Sequence, residues 1–214
     1  MQPLMQRKNR RTPGAPVAFI LALLLCACSG EIPPIAPLAQ DAIVLAFGDS
    51  LTYGTGATRE HSYPAWLERL IKRRIVNAGV PGELSAQGRE RLPRLLIEHK
   101  PDLLILCHGG NDLLRRIDAT LTRRNLVAMI KQAGSHGIPV ILIGVPQPAV
   151  MFLEAASLYD EIAAEYALPY EGSILPDVEA DDTLKSDRIH PNAKGYRLIA
   201  EAINRLMISS GALP

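Results

Sequence analysis

The chain has 214 residues, of which 48% are hydrophobic and 21% charged, enough apolar material for one globular domain with a sizeable core. Aromatic residues make up only 5%, so Leu, Ile, Val and Ala must build the core, which favours buried parallel strands covered by helices over a sandwich. Basic and acidic residues are balanced, 23 against 22, and without a basic patch a nucleic-acid partner is not expected.

The N-terminal 27 residues are typical of a bacterial export signal. They open with four basic residues, Arg7, Lys8, Arg10 and Arg11. The apolar run 17–27 that follows is too short to span a bilayer as a helix. It ends in Leu25-Cys26-Ala27-Cys28-Ser29, which resembles the lipobox of bacterial lipoproteins and implies that Cys28 is lipidated. An ordinary signal peptide with two incidental cysteines, or an uncleaved anchor helix, is the alternative.

The lipobox divides the chain into a signal peptide (1–27), a lipidated cysteine with a Pro-rich tether (28–40) and a folded domain (41–214). Ser29 after the cysteine resembles lipoproteins of the outer membrane, so we expect an exported protein on the periplasmic side, anchored there by lipid. Processing would leave 19 basic and 22 acidic residues, a net charge of −3. Cys107 would be the one cysteine of the domain and an inert core residue. A monomer is expected.

Beyond residue 40, apolar runs alternate with segments of helical spacing. The apolar, β-rich runs are 42–47, 74–77, 103–107, 140–144 and 168–170. The segments with helical periodicity are 63–72, 87–99, 121–136, 153–166 and 192–209. Because strand-helix-strand connections are right-handed and these strands must be buried on both faces, the order predicts a three-layer α/β/α domain with about five parallel strands.

Polar, glycine-rich motifs follow the first three strands, and a fourth motif precedes the last helix. These motifs are Gly48-Asp49-Ser50, Asn77-Ala78-Gly79-Val80-Pro81-Gly82, His108-Gly109-Gly110-Asn111-Asp112 and Asp187-Arg188-Ile189-His190-Pro191-Asn192. In open α/β sheets ligands bind at the carboxyl edge of the strands, where such loops meet. The sequence therefore predicts a single site at this edge.

Together the motifs supply every group that acyl transfer requires. Ser50 is the candidate nucleophile, His190 the candidate base, and Asp187 can orient the imidazole. The backbone N–H groups of Ser50 and Gly79 and the side-chain amide of Asn111 are candidate donors to the oxyanion. No cofactor is expected, and no cluster of His, Asp and Glu has the spacing of metal ligands.

In order and position, Gly48-Asp49-Ser50-Leu51, Gly79, Gly110-Asn111-Asp112 and Asp187-x-x-His190 resemble the four blocks of the SGNH/GDSL hydrolase family. The resemblance covers about 42–206 and is greatest to the bacterial thioesterase I, lysophospholipase L1 and arylesterase branch. It implies a flavodoxin-like fold and the roles given above for Ser50, Asp187, His190, Gly79 and Asn111. It also implies hydrolysis of lysophospholipid, aryl, short-chain or thioester substrates.

Two parts of the chain make the substrate less certain than the chemistry. Pro81-Gly82-Glu83 departs from the family pattern and is expected to reshape the lip of the groove. Segment 146–153 is expected to form a groove wall beside the acyl chain. A carbohydrate or peptidoglycan O-acetyl esterase stays open as an alternative substrate class.

Each motif alone also has a plain structural explanation as a turn or a helix cap. A flavodoxin-like binding protein without activity is therefore the alternative from another class. It predicts a broken site, and none of the four motifs is broken.

Overall fold

The computed structural model describes residues 32–147 and 154–214. Five strands are present in this part of the chain: β1 (Ile43–Gly48), β2 (Arg74–Gly79), β3 (Leu103–Cys107), β4 (Val140–Ile143) and β5 (Tyr170–Glu171). The α-helices are α1 (Ser50–Tyr53), α2 (Tyr63–Ile71), α3 (Ser85–His99), α4 (Gly110–Leu114), α5 (Ala119–Ser135), α6 (Ser157–Tyr166), α7 (Ile174–Ala180) and α8 (Ala193–Ser209). Two short 3₁₀ helices cover Arg59–His61 and Asp182–Leu184.

The five strands form one parallel sheet in the order β2-β1-β3-β4-β5. From β1 the chain moves outward to β2 and then crosses back to β3 on the other side of β1. The direction of winding therefore reverses between β1 and β3, the place where open α/β sheets bind ligands. In the sheet register Gly48 is paired with both Gly79 and Cys107, so three strands end level with one another at this edge.

Helices cover the sheet on both faces, and the predicted three-layer α/β/α fold is confirmed. Helix α2 packs on α8, and α3 packs on α5. The central strands are apolar and buried throughout; all five residues of β3 are inaccessible to solvent or nearly so. Cys107, expected to be a core residue, is 1% exposed, and burial raises the pKa of its thiol well above the ordinary value.

Most predicted elements lie within a few residues of the observed ones, but the short helices α1, α4 and α7 were not predicted. The sequence analysis assigned no element to Ile174–Ala180. With only seven residues and a proline in its first turn, this helix has too little periodicity to detect. Helix α6 begins at Ser157 rather than 153. The edge strand β5 consists of only two residues, Tyr170–Glu171. It ends one residue later than the predicted strand 168–170.

The folded unit begins before the predicted boundary at 41. Ile35 is 6% exposed and belongs to the core. Its N–H donates to the carbonyl of Ser210 over 2.7 Å, and the N–H of Leu38 donates to that of Ala212 over 2.9 Å. Part of the expected tether therefore packs along the C-terminal segment. The predicted signal peptide and Cys28 lie outside the described residues. Within 32–147 and 154–214 no helix has the length and apolar character needed to cross a bilayer.

Candidate active site

Ser50 is the first residue of α1, a helix of four residues that begins directly beyond the end of β1. Asp49 caps this helix: its Oδ1 accepts a hydrogen bond from the N–H of Leu51 over 3.1 Å. Gly54 ends it in the left-handed conformation, with φ of 99°. The N–H of Ser50 has no hydrogen-bond partner within 32–147 and 154–214. The cap therefore presents the Ser50 hydroxyl and a free N–H together at the sheet edge.

His190 connects Ser50 to Asp187 through a chain of hydrogen bonds. Its Nε2 lies 3.1 Å from Ser50 Oγ, and its Nδ1 lies 2.7 Å from Asp187 Oδ2. The other carboxylate oxygen, Asp187 Oδ1, accepts from the backbone N–H groups of Ile189 and His190 at 2.9 and 2.8 Å. The loop thus turns back on itself, as the orienting role expected of Asp187 needs. The structure brings the three predicted residues into one hydrogen-bonded chain.

The turn keeps Asp187 ionised. Limited burial raises its pKa, but the hydrogen bonds from the Ile189 N–H and from the ring and N–H of His190 outweigh that effect and lower the pKa to about 2. A permanently charged carboxylate at Nδ1 fixes the tautomer in which Nδ1 carries a proton and Nε2 is free to accept one.

Asn111 lies on α4, immediately after β3, and its amide faces Asp49. Its Nδ2 donates to the carbonyl oxygen of Glu83 over 3.1 Å and makes a longer contact of 3.4 Å with Asp49 Oδ2. Asp49 is 2% exposed, and burial raises the pKa of its carboxyl, against the opposing effect of nearby His108. Asn111 is thereby held between the cap of α1 and the loop after β2.

Glu83, which the sequence analysis placed with Pro81 and Gly82 at the lip of the groove, does not line the cavity beside Ser50 and is instead a buried supporting residue. Its carboxylate accepts two hydrogen bonds from Arg91, at 2.7 and 2.6 Å, and lies 3.0 Å from His108 Nε2. Glu83 is 7% exposed and His108 is fully buried. Arg91 also donates to the carbonyl of Ala78 over 3.0 Å. Because the Glu83 carbonyl holds Asn111, this buried cluster links the ends of β2 and β3 to the candidate amide donor.

A further buried carboxylate, that of Asp112 in the middle of α4, ties this helix to α3. Asp112 is 1% exposed and accepts from the backbone N–H of Ser85 over 2.8 Å and from its hydroxyl over 2.6 Å. Asn125 on α5 donates to the same hydroxyl over 3.0 Å. Asp112 thus acts as an N-terminal cap for α3 from a distant part of the chain. It fixes α4, and with it Asn111, to the helix layer.

Gly79, a predicted oxyanion donor, does not line the cavity beside Ser50. Its N–H donates to Asn77 Oδ1 over 3.1 Å. A Cβ built on Gly79 would lie 2.0 Å from the backbone nitrogen of Tyr53, so the missing side chain lets β2 approach the back of α1. The structure therefore does not bring the Gly79 N–H to the cavity together with Ser50 and Asn111, and its role as an oxyanion donor stays a prediction.

The neighbouring turn 80–83 does not line the cavity either, but it carries an N–H that, unlike that of Gly79, is not already donated. The N–H of Glu83 donates to the Val80 carbonyl over 3.2 Å, and Gly82 has φ of 78°, as in a type II turn. The N–H of Gly82 has no partner in the described part of the chain. Because Glu83 holds Asn111, this turn lies against the amide that the sequence did place at the site.

A cavity of about 540 Å³ opens beside Ser50. Its apolar wall consists of Leu51, Leu114, Val145, Pro146 and Ile189. Its polar lining, apart from the groups already described, consists of Gln147, Glu179, Lys185 and Arg188. Of the predicted groove wall 146–153, Pro146 and Gln147 line the cavity, and 148–153 lie outside the described residues. Ser50, Asn111 and His190 all reach this cavity.

Comparison with known proteins identifies the family. Residues 46–198 match the GDSL-like Lipase/Acylhydrolase family. Esterase TesA of Pseudomonas aeruginosa is 32% identical over 180 residues, 79% of this chain and 89% of that protein. Thioesterase 1/protease 1/lysophospholipase L1 of Escherichia coli is 30% identical over 165 residues, 74% of this chain and 79% of that protein.

A solved structure extends the match to the fold, and a further relative in sequence is a lipoprotein by name. A crystal structure of TesA superposes with a TM-score of 0.69 at 26% identity, covering 77% of this chain and 97% of that one. The uncharacterized lipoprotein YqeF of Bacillus subtilis is 30% identical over 145 residues, 61% of this chain and 56% of that protein. Fold and relatives together define a hydrolase that acts on ester bonds. The chain belongs to the GDSL-like lipase/acylhydrolase family, known also as the SGNH hydrolases.

Proposed function

We propose that the protein is a serine esterase in which Ser50, His190 and Asp187 form the catalytic triad. The observation that carries this proposal is the hydrogen-bonded chain from Ser50 Oγ through both ring nitrogens of His190 to Asp187. His190 Nε2 takes the hydroxyl proton as Ser50 Oγ attacks the acyl carbon, and then gives it to the departing alcohol. Water, activated by the same nitrogen, releases the acid and restores Ser50. Asp187 stabilises the charged imidazole throughout.

The oxyanion of the tetrahedral intermediate needs donors that are not already committed. The N–H of Ser50 meets that need at the start of α1. Asn111 has one amide hydrogen held by Glu83, while the long 3.4 Å contact to Asp49 leaves the other available to substrate. We assign the third donor to the N–H of Gly82 in place of Gly79, because the turn that carries it lies against Asn111.

Acyl esters are the substrate class that the cavity favours. Its apolar residues supply a surface against which an acyl chain can be removed from water, each buried methylene contributing about 0.8 kcal/mol. The names of the relatives, which include an esterase, a thioesterase and a lysophospholipase, support the same class for this chain.

A carbohydrate O-acetyl ester is the second candidate, and the charged part of the cavity favours it. Four polar side chains of the cavity are able to form hydrogen bonds to sugar hydroxyl groups: Gln147, Glu179, Lys185 and Arg188. A long alkyl chain has no group that could form such bonds. Comparing long-chain acyl esters with acetylated sugars on the same preparation separates the two candidates.

Replacing the nucleophile tests the mechanism. Ser50→Ala is expected to lower turnover of 4-nitrophenyl acetate by a factor on the order of 10⁴ or more, with the folded structure retained by circular dichroism. Ser135→Ala, which removes an exposed hydroxyl at the end of α5, is the matched control and should behave as wild type. Full turnover by Ser50→Ala would refute the triad.

We also propose that the chain is exported and anchored by lipid at Cys28, with 1–27 removed. Support comes from the lipobox sequence and from a relative named as a lipoprotein. Cys28→Ser should move the protein from the membrane fraction to the soluble fraction. Cys26→Ser is the matched control, because Leu25 occupies the position where acylation at Cys26 would need a small residue. Membrane association of Cys28→Ser equal to that of the control would refute the anchor.

A further inference from the structure

Glu179 has no role in the proposed mechanism, yet its side chain lines the cavity beside Ser50. It lies near the end of α7 and is partly buried. No hydrogen bond or ion pair to its carboxyl is formed within 32–147 and 154–214. Lys185, a cation that also lines the cavity, is held by the exposed Asp182 at 2.8 Å. The Glu179 carboxyl is therefore able to accept a hydrogen bond from a molecule bound in the cavity.

We propose that Glu179 determines the substrate specificity of this site, selecting esters with a hydrogen-bond donor, such as a hydroxyl group, in the part that occupies the cavity. The proposal rests on the esterase function proposed above and adds the class of substrate to it. Glu179 disfavours an alkyl chain placed against it, relative to one on the apolar wall, because such a chain would cover its carboxyl without replacing the lost water. A hydroxyl group on the substrate would replace that water with a direct hydrogen bond.

The ionisation of Glu179 should make this selection depend on pH. Burial raises its pKa to about 7, and Lys185 opposes the rise only in part. The other charged or titratable groups that reach the cavity are Asp49, Arg188 and His190. An alkyl chain should be tolerated better below pH 7, where Glu179 is neutral, and worse above it, where covering a carboxylate costs more. An effect of pH on the catalytic step that all esters share cancels in a ratio of substrates.

The test compares four esters of 4-nitrophenol: acetate, decanoate, ω-hydroxyhexanoate and, as the reference for the last, plain hexanoate. Wild type, Glu179→Leu, Glu179→Gln and Asp177→Asn are assayed at about pH 6 and about pH 8.5, either side of the Glu179 pKa. Asp177 is an exposed carboxylate on the same helix and serves as the matched control. The quantity followed is the ratio of kcat/KM values between two esters, which does not depend on the amount of active protein.

Glu179→Leu should raise the decanoate-to-acetate ratio on the order of tenfold at the higher pH, where wild type carries the charge. It should also lower the hydroxyhexanoate-to-hexanoate ratio. Glu179→Gln, which keeps the shape, should remove the pH dependence of the decanoate-to-acetate ratio, and Asp177→Asn should change neither ratio. Ratios unaltered in both Glu179 variants would overturn the proposal. An active Ser50→Ala would instead refute the esterase mechanism, so the two failures are distinct.

Discussion

Arg91 holds Glu83 through two hydrogen bonds of 2.7 and 2.6 Å, and the carbonyl of Glu83 in turn accepts the amide of Asn111. Neither Arg91 nor Glu83 lines the cavity beside Ser50. Removing Arg91 would leave the buried Glu83 carboxylate with His108 as its remaining side-chain partner, which is costly for a group only 7% exposed.

We expect Arg91→Leu to destabilise the protein by about 3 kcal/mol, measured by urea unfolding. We also expect it to lower kcat more than it raises KM, because Asn111 loses a fixed support. Arg94→Leu on the exposed side of α3 is the matched control. Equal kcat in the two variants would show that the pair stabilises the fold without positioning Asn111.

Asn111 should contribute to the transition state rather than to substrate binding. Asn111→Ala removes a donor that the oxyanion uses and the ground-state carbonyl uses less. We expect kcat to fall by a factor on the order of 10² to 10³, with KM little changed, in steady-state assays with 4-nitrophenyl acetate. A loss confined to KM would place the amide at a binding position and not at the oxyanion.

Asp187 should govern activity and contribute little to stability. Its side chain is 51% exposed, so solvent screens its interaction with His190 in the energetics of folding. Asp187→Asn removes the charge that fixes the His190 tautomer and should lower kcat on the order of 10²-fold or more. Its thermal midpoint should stay close to that of wild type.

The pH dependence of Asp187 follows from the same turn. Its pKa is lowered to about 2, so the carboxylate is charged throughout the range in which activity is measurable. Any stability it provides is present above the ordinary aspartate pKa and is lost only as pH falls towards 2. An acid limb of the wild-type activity profile that disappears in Asp187→Asn would contradict this assignment.

The sheet, its flanking helices and the placement of Ser50, Asn111 and His190 were predictable because each depends on a local signal. Apolar runs mark the strands, and the polar motifs follow directly after them. The support of Asn111 by Glu83, which Arg91 holds, was not predictable, since Glu83 and Asn111 lie 28 residues apart in the chain and no local sequence pattern indicates their contact. Glu179 was missed for another reason: its helix, α7, is too short to be detected.

The role of Gly79 could not be predicted from its sequence motif either. Two glycines, Gly79 and Gly82, lie three residues apart after β2, and the sequence does not distinguish an N–H that faces substrate from a glycine needed for packing. The distinction depends on the distance from Gly79 to Tyr53, which belongs to α1. Only the tertiary structure contains that distance.

Substituting each glycine separates the two roles. Gly79→Ala would place a methyl group 2.0 Å from the Tyr53 nitrogen, so we expect a loss of about 3 kcal/mol or more and displacement of α1. Gly82→Ala meets no atom within 4 Å, and its positive φ alone should cost roughly 1 kcal/mol. Urea unfolding of both variants checks the order. A Gly79→Ala protein as stable as Gly82→Ala would remove the packing explanation.

The raised pKa of Glu179 should also be visible in stability. Burial raises the pKa from 4.5 to about 7, so the unfolded chain ionises this carboxyl more readily than the folded protein does. The group therefore favours folding at low pH, and that contribution is lost as pH rises from 4.5 through 7. Glu179→Gln cannot ionise. Relative to wild type, this variant should gain stability across that window, by on the order of 1 to 3 kcal/mol at its upper end.

Urea unfolding of both proteins at intervals through the window measures the difference. Asp177→Asn, on the exposed face of α7, should show no such rise, and a flat difference for Glu179→Gln would mean that the carboxyl ionises equally well in both states.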